Sequence, residues 1–177
     1  MKVNDSIRGR AQHIRLVVFD VDGVLTDGRI YLTPEGPEMK VFHARDGMGI
    51  RLLREHGIEV AVISGRQSEV VNRRMNALNV AHVIQGQDEK TDALRKLTEQ
   101  LAIPLSHCAF IGDDVIDIPP MQAVGLACAV ADAHPAVRRH AHWITTATGG
   151  HGAAREVCDM ILMAQERLPP ALMPDPC

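Results

Sequence analysis

Leu16-Val17-Val18-Phe19-Asp20-Val21-Asp22-Gly23-Val24-Leu25-Thr26 decides the reading of this chain. Four apolar residues end in two carboxylates placed one residue apart, followed at once by glycine. A short continuous apolar run fits a strand buried on both faces, as in a parallel sheet, and the carboxyl edge of such a sheet is where ligands bind. Two carboxylates held close together need a metal, a proton or a basic partner, so packing alone does not account for them. Read in isolation, Asp22 also suits a cap on the turn before Gly23. Three further signals weigh against that reading.

Each of the three occupies a comparable place in the chain. Val60-Ala61-Val62-Ile63 leads to Ser64-Gly65-Arg66, and a helical pattern from about residue 67 would turn its first amides toward an anion. Lys90 opens another helical pattern and supplies a compact positive charge. Ala109-Phe110-Ile111 leads to Gly112-Asp113-Asp114, a second acidic pair. Carboxylates, a hydroxyl and an ammonium on one sheet edge suit one divalent metal and one phosphoryl group. Taken singly, Ser64 is also an ordinary turn residue, Lys90 a solvated lysine and Asp114 a helix cap.

The rest of the sequence supports one α/β domain over residues 1–177, with neither a linker nor an internal repeat. Strands are expected at 58–63, 80–84, 107–111, 126–130 and 143–145. Helices are expected at about 47–56, 67–78, 89–101, 114–123, 133–140 and 153–165. Their alternation argues for a parallel sheet with helices on both faces. Residues 28–43 read as a β-hairpin insertion, with strands at 28–33 and 38–43 joined by Pro34-Glu35-Gly36-Pro37. No large cap is inserted there or between Ser64 and Lys90. Residues 166–177, proline-rich, read as a flexible or intersubunit tail.

Together these motifs resemble the haloacid dehalogenase-type phosphohydrolases. The similarity runs from about Leu16 to Leu162 and includes Asp46-Gly47-Met48-Gly49-Ile50 and Gly149-Gly150-His151-Gly152-Ala153-Ala154-Arg155-Glu156. The extension through Thr26-Asp27-Gly28 and the late glycine-rich segment narrow the resemblance to the branch acting on sugar-acid phosphates. It implies a Rossmann-like three-layer fold and Mg²⁺-dependent hydrolysis of 3-deoxy-D-manno-octulosonate 8-phosphate in lipopolysaccharide inner-core synthesis. A nonulosonate 9-phosphate is the alternative substrate, and a non-catalytic module binding a phosphosugar or partner is the alternative class.

The same resemblance implies the roles. Asp20 would be the nucleophile, forming an aspartyl phosphate, and Asp22 the general acid and then the general base. Ser64 and Lys90 would hold phosphoryl oxygens. Asp20, the backbone carbonyl of Asp22, and Asp113 would bind Mg²⁺, with Asp114 behind them orienting Lys90. Arg66, with its planar fork, would grip the anionic substrate, joined by Arg74, Gly65, Asp46 and Gly47 at the mouth of the site. Surface solubility is the plain alternative for the two arginines. Where this family carries Gly-Asp-Asp-x-Asn-Asp, the chain has Gly112-Asp113-Asp114-Val115-Ile116-Asp117, which removes an amide near the metal. The hairpin would build a homotetramer whose neighbouring subunits cover each site, with Ile30, Leu32 and Val41 on its apolar face.

Nineteen basic against 22 acidic residues leave a formal charge of -3, with no basic block, so the charge pattern makes no case for nucleic acid or an anionic membrane. Leu16–Phe19 is too short to span a bilayer and no secretory apolar region precedes it, which makes the cytoplasm the expected location. Cys108, Cys128, Cys158 and Cys177 lack zinc-type spacing and read as reduced cysteines, three of them in apolar, buried segments.

Overall fold

The computed structural model describes residues 3–34 and 38–169. Its strands are β1 (Leu16–Phe19), β2 (Tyr31–Leu32), β3 (Glu38–Met39), β4 (Glu59–Ile63), β5 (His82–Ile84), β6 (Cys108–Gly112), β7 (Leu126–Ala129) and β8 (Trp143–Ile144). Its helices are α1 (Asp5–Ala11), α2 (Ala44–Glu55), α3 (Glu69–Ala77), α4 (Lys90–Leu101), α5 (Ile118–Ala123), α6 (Pro135–His140) and α7 (Ala153–Ala164).

Six strands form one parallel sheet in the order β5-β4-β1-β6-β7-β8, and β2 pairs with β3 as a separate antiparallel hairpin. All four residues of β1, and all of β6 and β7, are buried, as a sheet covered on both faces requires. One helical layer is α1 and α2 packed against α7; in the other, α4 packs on α5 and α5 on α6. This is the three-layer Rossmann-like architecture expected from the alternating pattern. The chain leaves β1 toward β4 and β5, then returns to lay β6 on the other side of β1. That reversal places a topological switch at the carboxyl ends of β1 and β6.

Local chemistry moves several boundaries. His43 caps α2 by accepting the Arg45 amide on Nδ1, so that helix starts at Ala44 rather than near 47. Ser68 is extended, so α3 begins at Glu69. Val80 still belongs to the end of α3: its amide bonds the Met75 carbonyl after Asn79 takes a left-handed φ of 53°, and β5 therefore opens only at His82. The expected helix at 114–123 splits into a 3₁₀ turn over 115–117 and α5, whose first turn holds Pro119 and Pro120. Helix α1, to which the sequence pattern gave no assignment, is capped by Asn4 accepting from the Ile7 amide and anchored by buried Ile7 and Ala11.

The hairpin ladder holds two residues per strand, with Tyr31 opposite Met39 and Leu32 opposite Glu38. Its expected turn lies largely outside the described residues, as does most of the tail. Ile30, Leu32, Met39 and Val41 are exposed, Leu32 at 76%. Cys108, Cys128 and Cys158 are free and buried, and Cys177 lies outside the described residues. Among the described residues no helix is long and apolar enough to cross a membrane.

Candidate active site

The register of the sheet brings the sequence motifs together. Phe19 pairs with Val62 on one side and with Ile111 on the other, so the residues that follow β1, β4 and β6 emerge side by side. The Asp20 amide extends the ladder to the Ile111 carbonyl (3.0 Å), and the Ser64 amide does the same to Ile84 (2.9 Å). Asp20 and Ser64 are thus fixed by backbone bonds at the rim while their side chains stay buried.

Lys90, the first residue of α4, is 1% exposed and reaches this edge from beneath. Its Nζ donates to Asp20 Oδ1 at 2.6 Å and to Asp117 Oδ1 at 2.7 Å. Asp117 is fully buried, and its Oδ2 accepts the backbone amides of Asp113 (2.9 Å) and Asp114 (3.3 Å). Gly112 permits this, because a Cβ there would collide with the Asp117 side chain. The carboxylate that orients Lys90 is therefore Asp117 and not Asp114. Asp114 is exposed and caps the 3₁₀ turn, accepting the Val115 amide in a reciprocal capping box with Asp117. The Gly-Asp-Asp-x-x-Asp spacing carried the signal for Asp117, since it survives where Ile116 departs from the family pattern.

Asp20, Asp113 and Asp117 bring oxygens within 4.8 Å of one another. Both Asp117 oxygens are engaged, whereas Asp113 Oδ1 is buried without a hydrogen-bond partner. Burial, followed by the Asp117 charge, pushes Asp20 up to about 7 against the opposing pull of Lys90. Burial and the charges of Asp20, Asp117 and Asp114 push Asp113 to about 8. Burial lowers the basicity of Lys90, but Asp20 and Asp117 more than reverse this, so its pKa is raised and it stays an ammonium. Three carboxylates around one ammonium must keep protons or take up a cation. An orphaned carboxylate oxygen among hard oxygen donors fits a small divalent cation held chiefly by Asp20 and Asp113.

Asp22 sits in a second ion-pair chain that sequence reading missed. The Lys40 ammonium, on a side chain 2% exposed, bonds Asp22 Oδ1 and also lies 2.6 Å from Glu38 Oε1. Glu38 Oε2 is 3.6 Å from Arg66 Nη2. One lysine within the expected second hairpin strand looks like a surface charge, and only the fold turns it inward.

The acidic loop is braced from two directions. Thr26 donates its hydroxyl to the Val21 carbonyl, and its Oγ1 accepts from the Gly23 and Gly28 amides. Gly149 packs on the Gly23 carbonyl so closely that a Cβ would overlap it, and the Gly150 amide bonds Val24. The late glycine segment thus supports the loop that carries Asp20 and Asp22.

Asp46, Gly47 and Arg74 form a separate corner. Asp46 is buried and accepts the Arg155 amide at the start of α7 (2.8 Å), joining two helix beginnings; burial raises its pKa. Gly47 leaves room for the Arg74 guanidinium, which lies 5.9 Å from the Phe42 ring centre. With Leu25, His43 and Ile50 they line a small cleft with a volume of about 10 Å³. Arg66 is half-exposed beside the hairpin, and its amide bonds Ser64 Oγ at 3.3 Å, across Gly65.

Comparison with known proteins identifies the family. Residues 79–157 match the haloacid dehalogenase-like hydrolases. The chain is 48% identical over 166 residues to the 3-deoxy-D-manno-octulosonate 8-phosphate phosphatase of Yersinia pestis, covering 94% of this chain and 89% of that one. It belongs to that phosphatase family. The crystal structure of the Yersinia pestis family member superposes with a TM-score of 0.93 at 48% identity, covering 94% of this chain and 90% of that one. A Moraxella catarrhalis family member, solved with magnesium, phosphate and a KDO molecule, superposes at 0.92 with 45% identity over 94% of this chain and 95% of that one.

Proposed function

We propose that this member of the phosphatase family hydrolyses 3-deoxy-D-manno-octulosonate 8-phosphate to the free sugar acid and inorganic phosphate, with Mg²⁺ as cofactor. The observation that carries the reading is the buried Asp20–Lys90–Asp117 array beside the orphaned Asp113 oxygen, in a chain 48% identical to a phosphatase of that specificity.

In this mechanism Asp20 attacks phosphorus; the bond from phosphorus to the sugar oxygen breaks, and Asp22 gives its proton to that oxygen. A water then attacks the aspartyl phosphate while Asp22 takes its proton, releasing phosphate and restoring Asp20. Lys90 offsets the negative charge beside Asp20, and the Ser64 hydroxyl is placed to donate to a phosphoryl oxygen. Asp20, Asp113 and the Asp22 backbone carbonyl would hold Mg²⁺, which would supply positive charge against the phosphoryl oxygens. Arg66, next to Ser64 and the hairpin, takes the sugar carboxylate, and Arg74 lines the cleft beyond. Asp46 and Gly47 support that cleft: one ties α2 to α7 and the other leaves space for Arg74.

The exposed hairpin residues Ile30, Leu32, Met39 and Val41 support burial against further copies of this chain, in a homotetramer whose neighbours cover each site. The deciding experiment is phosphate release, with and without Mg²⁺, from the eight-carbon substrate, a nonulosonate 9-phosphate and simple hexose phosphates. Metal-dependent preference for the eight-carbon substrate is expected. Preference for the nine-carbon compound, or no release from folded protein, overturns the assignment.

A further inference from the structure

We infer that Lys40 is a positioning residue for the acid/base Asp22, tethered through Glu38 to the substrate-gripping Arg66; the inference rests on the catalytic reading above. Four charges alternate along this line, from the Asp22 carboxylate through the Lys40 ammonium and the Glu38 carboxylate to the Arg66 guanidinium. Lys40 is nearly as buried as Lys90, and a lysine is taken out of water only where partners compensate its charge. Its partners here belong to two different structures. Asp22 is on the loop after β1, and Glu38 is in β3 of the hairpin.

Lys40 engages Asp22 at Oδ1, which restrains the carboxylate and leaves Oδ2 outside that contact. A short acidic loop next to glycine has little rotameric restraint of its own, so this contact sets the aim of the proton transfer. Glu38 holds Lys40 in place with one oxygen and meets Arg66 with the other. An incoming sugar carboxylate competes with Glu38 for Arg66. Occupation of the carboxylate site is therefore felt by the residue that aims the acid.

The test is Lys40→Met in the full-length protein, with Glu38→Gln as a milder second variant and circular dichroism as the check on folding. With the sugar phosphate, kcat of Lys40→Met falls at least about tenfold, a share of the roughly 10²–10⁴ that general acid–base catalysis contributes, while KM moves less than about twofold. Glu38→Gln shows the same split to a smaller degree. With 4-nitrophenyl phosphate, whose leaving group needs no proton, Lys40→Met keeps a stoichiometric burst of nitrophenolate and loses only the later steady rate, because water must still be activated. An unchanged kcat in both variants overturns the inference. So does loss of burst and steady rate together in a folded Lys40→Met protein, which makes the lysine merely structural. Because 4-nitrophenyl phosphate carries no sugar, wild-type turnover of it without turnover of the sugar phosphate would refute the substrate assignment and leave the Lys40 test standing.

Discussion

Binding of Mg²⁺ should expel protons, and the number follows from the acidic cluster. With Asp20 pushed up to about 7 and Asp113 to about 8, the first is half protonated at pH 7 and the second about nine-tenths protonated. A divalent cation needs both carboxylates ionised, so between one and two protons leave for each ion bound at pH 7. The slope of log affinity against pH equals that number. Affinity for Mg²⁺ should thus rise by roughly one to two decades from pH 6.5 to 7.5 and flatten above about pH 9. The metal-free fold has the opposite trend. Unfolded, both acids titrate near the ordinary aspartate value of 3.8; folded, they keep their protons to about 7 and 8. The native state then binds more protons between pH 4 and 8, and this contribution to stability, complete below pH 3.8, is lost as pH rises through that window. Calorimetric titration of Mg²⁺ at pH 7 in two buffers of different ionisation enthalpy counts the protons directly. Release of none refutes the buried-cluster argument, whatever the enzyme's activity.

Three other outcomes are expected. Asp20→Asn abolishes phosphate release while circular dichroism stays native; unchanged release would remove Asp20 from the nucleophile's role. Lys90→Met leaves Asp20 and Asp117 facing each other unpaired, so urea unfolding near pH 8 without metal should show a loss of about 3–5 kcal/mol, smaller at pH 5 where Asp20 holds its proton. Leu32→Glu on the exposed hairpin should lower the mass measured by light scattering in dilute solution, and wild-type protein that is already a monomer would defeat the shared-cover reading.

The sheet was legible because its strands are apolar runs ending in polar punctuation. Leu16–Phe19 and Ala109–Ile111 announce both their burial and the edge at which chemistry sits. What could not be read depends on contacts distant in sequence. Val80 looks like strand because it is β-branched, yet the left-handed Asn79 lets its amide close the end of α3. Asp114 and Asp117 are both acids after one strand, and only the depth of the 3₁₀ turn decides that Asp117 meets Lys90 while Asp114 faces water. Lys40 had no local signal, since its burial arises from the way the hairpin folds back over Asp22. Asp46, grouped by proximity with the mouth of the site, lines the cleft there and also accepts the Arg155 amide in the first turn of α7, a tie the sequence does not announce.

The packing of Gly149 and Gly150 on residues 23–27 bears on how the protein is made. The loop of Asp20 and Asp22 leaves the ribosome early, but the glycine segment that braces it is translated after every strand of the sheet. Until then the loop of Asp20 and Asp22 has the Thr26 brace but not the one from Gly149 and Gly150. Full bracing of that loop is therefore expected only once Gly149 and Gly150 have been made and have packed against it.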